Sequence, residues 1–197
     1  MQYNKIKVVI LLKKLCFIAK IICIALCCLI SLSLVSCGLL NKEVHGTELL
    51  KLSDNQLYEK VYFQILDLVE SYPDEETALS QISPECRTVY ILNIFDLEIQ
   101  NGGLCQFFVN SSRSLAPQIE ECLKKVNASE HKELFSAFVS NNNIDLARLE
   151  SFESNNIDEY ISQTKRYDFE SFDDAYIELT PLQDYIVSYI KANISEF

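Results

Sequence analysis

Glycine is scarce in this chain, four residues in 197, and histidine scarcer, His45 and His131 alone. Each shortage excludes chemistry. No glycine-rich phosphate loop, H-E-x-x-H helix or calcium-loop spacing can be read anywhere in the sequence. Neither histidine has a second ligand at metal spacing, so no metal and no cofactor is expected. Strand alternation is also missing, which argues against a β architecture. Basic residues are few: 17 Lys and Arg stand against 28 Asp and Glu, a formal charge of −11. Such a balance repels nucleic acid and anionic headgroups, so direct DNA or RNA binding is excluded.

The basic residues that exist are unevenly placed. Lys5, Lys7, Lys13, Lys14 and Lys20 precede any acid and run into IICIALCCLISLSLVS, an uncharged apolar stretch over residues 21–36. A basic start, an apolar middle and small residues before a cut site make a secretory signal. Leu34-Val35-Ser36-Cys37 resembles the bacterial lipobox, whose cysteine is lipidated and becomes the first mature residue. The resemblance implies a signal peptide over 1–36 and a lipid on Cys37, followed by a tether to residue 52. The domain then spans 53–197, anchored in the cell envelope outside the cytoplasm. An uncleaved anchor helix is the alternative, since the run approaches the ~17 residues of a span. Gly38 stands where Asp retains many lipoproteins at the inner membrane, which points to outer-membrane sorting. Without residues 1–36 the basic count falls from 17 to 12 against 28 acids, a net charge of −16.

Helix signals recur through the domain. Ser53 and Gln56 form a capping box ahead of Leu57, Val61, Ile65 and Leu68. Pro73 breaks that helix. Ser83-Pro84 opens the next, with an apolar stripe at Val89, Leu92 and Leu97, and Asn101-Gly102 ends it in a left-handed conformation. LCQFFVN makes a short helical piece. Pro117 opens a helix to about Val126, Ser129 caps the following one, and Leu146, Leu149 and Phe152 suggest another. Thr180-Pro181-Leu182-Gln183 reads as a capping box before Tyr185, Ile186, Tyr189 and Ile190. The expectation is an all-α, compact multi-helix domain of about 145 residues, large enough to bury roughly two-thirds of its unfolded surface.

Two of the four glycines adjoin in NGGLCQFFVNSS, residues 101–112. Gly102 and Gly103 let the backbone reverse, and Phe107 and Phe108 fill the angle between two helices. Gln106 and Asn110 share a face, with Glu98 one turn before the corner. Two readings stay open: these polar groups converge on a ligand, or they satisfy the amides and carbonyls a sharp corner leaves unpaired. The corner is the reading the residues favour.

Glu98, Asn101, Gly102, Gly103, Gln106, Phe107, Phe108 and Asn110 together resemble the signature of a bacterial domain family named after a DNA-mimic protein. Leu104 departs from the family's aromatic. The C-terminal FESFDDAYIELTPLQDYIVSYIKAN is similar to that family's ending, an acidic turn and a last helix. The resemblance implies a compact helical domain over residues 54–193 and, in the type member, acidic side chains that imitate DNA phosphates. Candidate acidic clusters are Asp74/Glu75/Glu76, Glu120/Glu121, Glu150/Glu153/Asp158/Glu159 and Glu170/Asp173/Asp174/Glu178.

No residue is assigned a catalytic role. Cys105 or Cys122 with His131 would be a thiol–imidazole pair, but the thiol at 105 falls on a variable position of the motif. Cys86, Cys105 and Cys122 are either one disulfide and a free thiol or three buried thiols. The expected function is a membrane-anchored, non-catalytic protein-binding module. The alternatives are a DNA mimic occupying a basic partner's DNA-binding surface, and an uncharacterised enzyme.

Overall fold

The computed structural model of the protein describes residues 46–197. The signal segment, Cys37 and His45 lie outside the described residues. The domain is all-α, as its sequence pattern predicts. Its elements are α1 (Gly46–Leu49), α2 (Asp54–Glu70), α3 (Glu75–Gln81), α4 (Pro84–Val109), a 3-10 turn (Ser111–Leu115), α5 (Ala116–Lys125) and α6 (Ser129–Asn141). After a 3-10 turn (Glu150–Phe152) come α7 (Ile157–Thr164), α8 (Phe169–Ile177), α9 (Leu182–Ala192) and a closing turn (Ile194–Glu196).

Helix α4 is the axle. Cys86, Val89, Tyr90, Ile91, Leu92, Phe95 and Ile99 are buried on all its sides, the pattern of a helix enclosed by others rather than laid on a surface. Around it pack α2, α5, α7, α8 and α9. The second half of α4 feeds an aromatic core. The Phe95 ring meets Phe107 and Phe135 edge-on at 5.1 and 5.5 Å, and Phe108 stacks on Phe152 at 4.7 Å. Each such ring, fully buried, contributes roughly 1.5–3 kcal/mol.

Several local expectations hold. Ser53 and Gln56 form the capping box, and Ser83 accepts the Cys86 N–H at 3.1 Å with Pro84 in the first turn. Pro117 sits in the first turn of α5. Others are corrected. The buried row of α2 is Leu57, Val61, Ile65 and Val69, an unbroken i+4 ladder, so Leu68 turns outward, and so does Leu97 on α4. Ala128, not Ser129, occupies the cap of α6, and no side chain caps α9, where Pro181 stands at the N-cap. Leu149 and Phe152 are buried from a 3-10 turn rather than an α-helix. The stretch read as a tether is partly structured: Leu49 is fully buried, and α1 packs on the closing turn.

Helices α3, α7 and α8 were not foreseen. The first two are short, and α7 has no buried residue to betray its period. Each starts on a side-chain cap: Asp74 accepts the Thr77 N–H, Asn156 that of Glu159 and Asp168 that of Ser171. The acidic turn at FESFDD is α8 itself, with Phe169, Phe172 and Tyr176 inward.

Candidate functional site

At Gly102 and Gly103 the α4 backbone leaves the helix without ending it. Gly102 has φ −161° and ψ 19°, whereas Gly103 has φ 78° and ψ 177°. The left-handed residue is therefore Gly103, not Gly102 as expected. Past this kink the second limb starts with Leu104, whose N–H has lost its partner in the helical ladder. Asp173 of α8 supplies one: its Oδ1 accepts the Leu104 N–H at 2.8 Å. The carboxylate occupies the space beside Gly103, where any Cβ would overlap it. A Cβ at 102 would instead overlap the Gln106 side chain. Burial pushes the Asp173 carboxyl above the ordinary range, while the Leu104 N–H pulls it the other way.

The polar members of the motif converge on one carboxylate. Glu98 accepts from Gln106 Nε2 at 2.8 Å, from Asn110 Nδ2 at 2.9 and 3.1 Å, and from Ser112 Oγ at 2.8 Å. A carboxylate has about four acceptor positions, and these contacts take them up. Ser112, which the sequence reading missed, is buried and also donates to the Phe107 carbonyl at 3.2 Å. Its only sequence signal was its place two residues after Asn110. Asn101 stands apart, exposed at the corner. Phe107 and Phe108 are fully buried and point away from the polar cluster's surface into the aromatic core.

A protein-family model described as "DMP19-like protein" matches residues 80–193, more than half of the chain and the whole of this corner. The chain belongs to the DMP19-like protein family. No curated protein and no solved structure matches it.

A second buried polar group in this DMP19-like domain carried no sequence motif. Asp96, 4% exposed, accepts the Tyr176 O–H at 2.8 Å and Gln100 Nε2 at 2.7 Å. Burial, with Asp96 alongside, raises the Tyr58 and Tyr176 phenols. His131 lies edge-on to the Tyr176 and Tyr185 rings at 5.1 and 5.6 Å, and among the described residues neither of its buried nitrogens has a hydrogen-bond partner. Burial lowers its pKa, against the pull of Asp96 and Glu130.

The three cysteines of the DMP19-like domain are buried free thiols, which decides between the two expectations for them. Burial pushes Cys105 and Cys122 up to about 11, so both are protonated at neutral pH. Neither is hydrogen-bonded to His131, whose charged neighbours are Asp96 and Glu130. Among the described residues no three His, Cys, Asp or Glu side chains gather as metal ligands.

The acidic clusters divide into bonded and free carboxylates. Asp74 caps α3, Asp173 caps the second limb of α4, Glu159 accepts the Asn155 N–H just before α7, Glu75 accepts from Tyr90 O–H at 2.8 Å, and Glu153 pairs with Arg113 at 3.1 Å. Asp158, Glu170, Asp174 and Glu178 are exposed around α7 and α8, where Ile157, Ile161 and Ile177 also face solvent.

Proposed function

We propose that this chain is a lipid-anchored envelope protein whose acidic DMP19-like domain is a non-catalytic module that binds another protein. The observation that carries the reading is the surface of α7 and α8. Isoleucines exposed by 68%, 43% and 75% at 157, 161 and 177 are interleaved in sequence with exposed Asp158, Glu170, Asp174 and Glu178. Apolar side chains set among like charges suit a partner with a basic, partly apolar face. A non-catalytic role is supported by the chemistry of the candidate groups. The motif carboxylate Glu98 is saturated from within, and the candidate thiols are protonated and away from His131. The anchor rests on the basic and apolar segment before Cys37. Among the described residues no helix is long and apolar enough to cross a membrane.

The family favours a second reading, DNA mimicry, in which the carboxylates occupy the DNA-binding surface of a basic protein. Compartment separates the two. Metabolic lipid labelling of wild type and Cys37→Ser, with protease accessibility in intact cells and spheroplasts, is the deciding experiment. Label that depends on Cys37, with the domain cleaved from outside the inner membrane, supports the envelope module. An unlabelled, protected domain overturns it in favour of mimicry inside the cell.

A further inference from the structure

A neutral imidazole carries one N–H donor and one nitrogen acceptor, and a buried one normally uses both. His131 of α6 is 1% exposed, and among the described residues it uses neither. Its surroundings come from four other helices. Tyr176 of α8 and Tyr185 of α9 meet the ring edge-on. Among the described residues, the charges that act on it are Asp96 of α4 and its own neighbour Glu130, and both are acidic. Tyr58 of α2 stands beside Asp96 and Tyr176. Burial favours the neutral ring, but the charges around it favour the cation.

Asp96 is the acceptor an imidazolium would take. It is buried, whereas Glu130 is exposed, where water and salt screen its charge. Both Asp96 oxygens are in use, Oδ1 by the Tyr176 hydroxyl at 2.8 Å and Oδ2 by Gln100 Nε2 at 2.7 Å. The Gln100 bond is local to α4. The Tyr176 bond ties α8 to α4 across 80 residues of chain. Along α8 the anchors differ in kind. Phe169 and Phe172 pack on Phe138 in the aromatic core, and Asp173 accepts the Leu104 N–H. Tyr176 makes the polar tie of the last turn, and Ile177 beyond it is 75% exposed. A phenol offers Asp96 a hydrogen bond alone. An imidazolium offers a hydrogen bond and a full charge, which counts for more in a desolvated site.

We infer that His131 is an acid switch: once protonated it takes Asp96 from the Tyr176 hydroxyl and loosens the last turn of α8 from α4. The inference goes beyond the protein-binding module and does not depend on it. The test is hydrogen exchange of the full chain in detergent, read by mass spectrometry and corrected for the pH dependence of intrinsic exchange. Exchange is compared at about pH 7 and about pH 5, a window that spans the ordinary histidine value and stays above the usual carboxylate range. In wild type, protection of residues 173–177 should fall about tenfold or more at the lower pH, the worth of one hydrogen bond. Residues 84–100 should lose less, and His131→Phe should keep its protection at 173–177. Asp173 is the other group on α8 poised to respond, because burial lifts its carboxyl. A loss that persists in His131→Phe belongs to Asp173 and overturns the inference. An equal loss along α4, which means that the whole domain opens, overturns it too, as does no loss at all. If His131→Phe does not fold, Tyr176→Phe decides. Freeing Asp96 Oδ1 should move the His131 ring titration, followed by NMR, to higher pH, and an unchanged titration overturns the switch.

Discussion

Two neighbouring glycines do different work. A side chain at 103 must adopt φ 78° and displace Asp173, losing the cap on Leu104. Left-handed backbone costs about 1–2 kcal/mol for an L-residue and a lost cap about 1 more, so Gly103→Ala should destabilise by over ~2 kcal/mol. At 102 φ is −161°, which any residue adopts, and the obstacles are the end of Gln106, which can swing away, and its Cβ at 3.1 Å, which is a tight contact. Gly102→Ala should cost about 1 kcal/mol, mostly the bond from Gln106 to Glu98, and clearly less in a Gln106→Ala background, where only the tight contact with the Cβ of residue 106 is left. Urea denaturation of the four variants measures both. Equal costs at 102 and 103 would contradict the geometry. His131 gives the pH dependence. Its folded pKa lies below the ordinary 6.5, so the unfolded chain takes the proton first. Its contribution is complete above pH 6.5 and is lost as pH falls below it, by up to about 1.4 kcal/mol per pH unit. Melting curves between about pH 5 and 7, above the usual carboxylate range, should show this loss in wild type and not in His131→Phe. An identical slope in both would assign the loss to other groups.

At the scale of elements, the corner is a junction of three pieces. Glu98 on the first limb of α4 gathers Gln106 and Asn110 from the second limb and Ser112 from the following turn, and α8 caps the second limb from 69 residues away. Asp173→Ala should therefore act like the loss of an N-cap, about 1–2 kcal/mol. Hydrogen exchange should then quicken in residues 104–109 more than in residues 84–100. A uniform change along α4 would mean that Asp173 serves only α8. The sequence disclosed the first part of this arrangement, because Glu98, Gln106 and Asn110 lie at helical spacings from one another across the glycines. It could not disclose Asp173 or Asp96. Each is one acid among 28, distinguished only by what folds against it. Helix α7 escaped for the opposite reason: none of its side chains is buried, so no apolar period marks it.

For the molecule as a whole, charge and burial make separate predictions. Cys86, Cys105 and Cys122 should resist alkylation in the native protein and react in urea, as read by mass spectrometry of their peptides. Rapid native labelling at Cys105 or Cys122 would show the core open. A partner held by the carboxylates around α7 and α8 should weaken with rising salt, with a residual affinity owed to the exposed isoleucines, because screening weakens exposed charge pairs and leaves apolar burial in place. A salt-independent affinity would place the contact elsewhere.

The sequence by itself determined the helical class, the position of the kink and the acidic balance, since these follow from local backbone freedom, apolar period and composition. It also determined that two phenylalanines would anchor the corner in the core. Tertiary structure decided which glycine takes the left-handed turn and which of many carboxylates cap, pair or stay free. Those outcomes depend on residues brought together across the chain, where desolvation and hydrogen-bond geometry, rather than residue type, set the role of each charge.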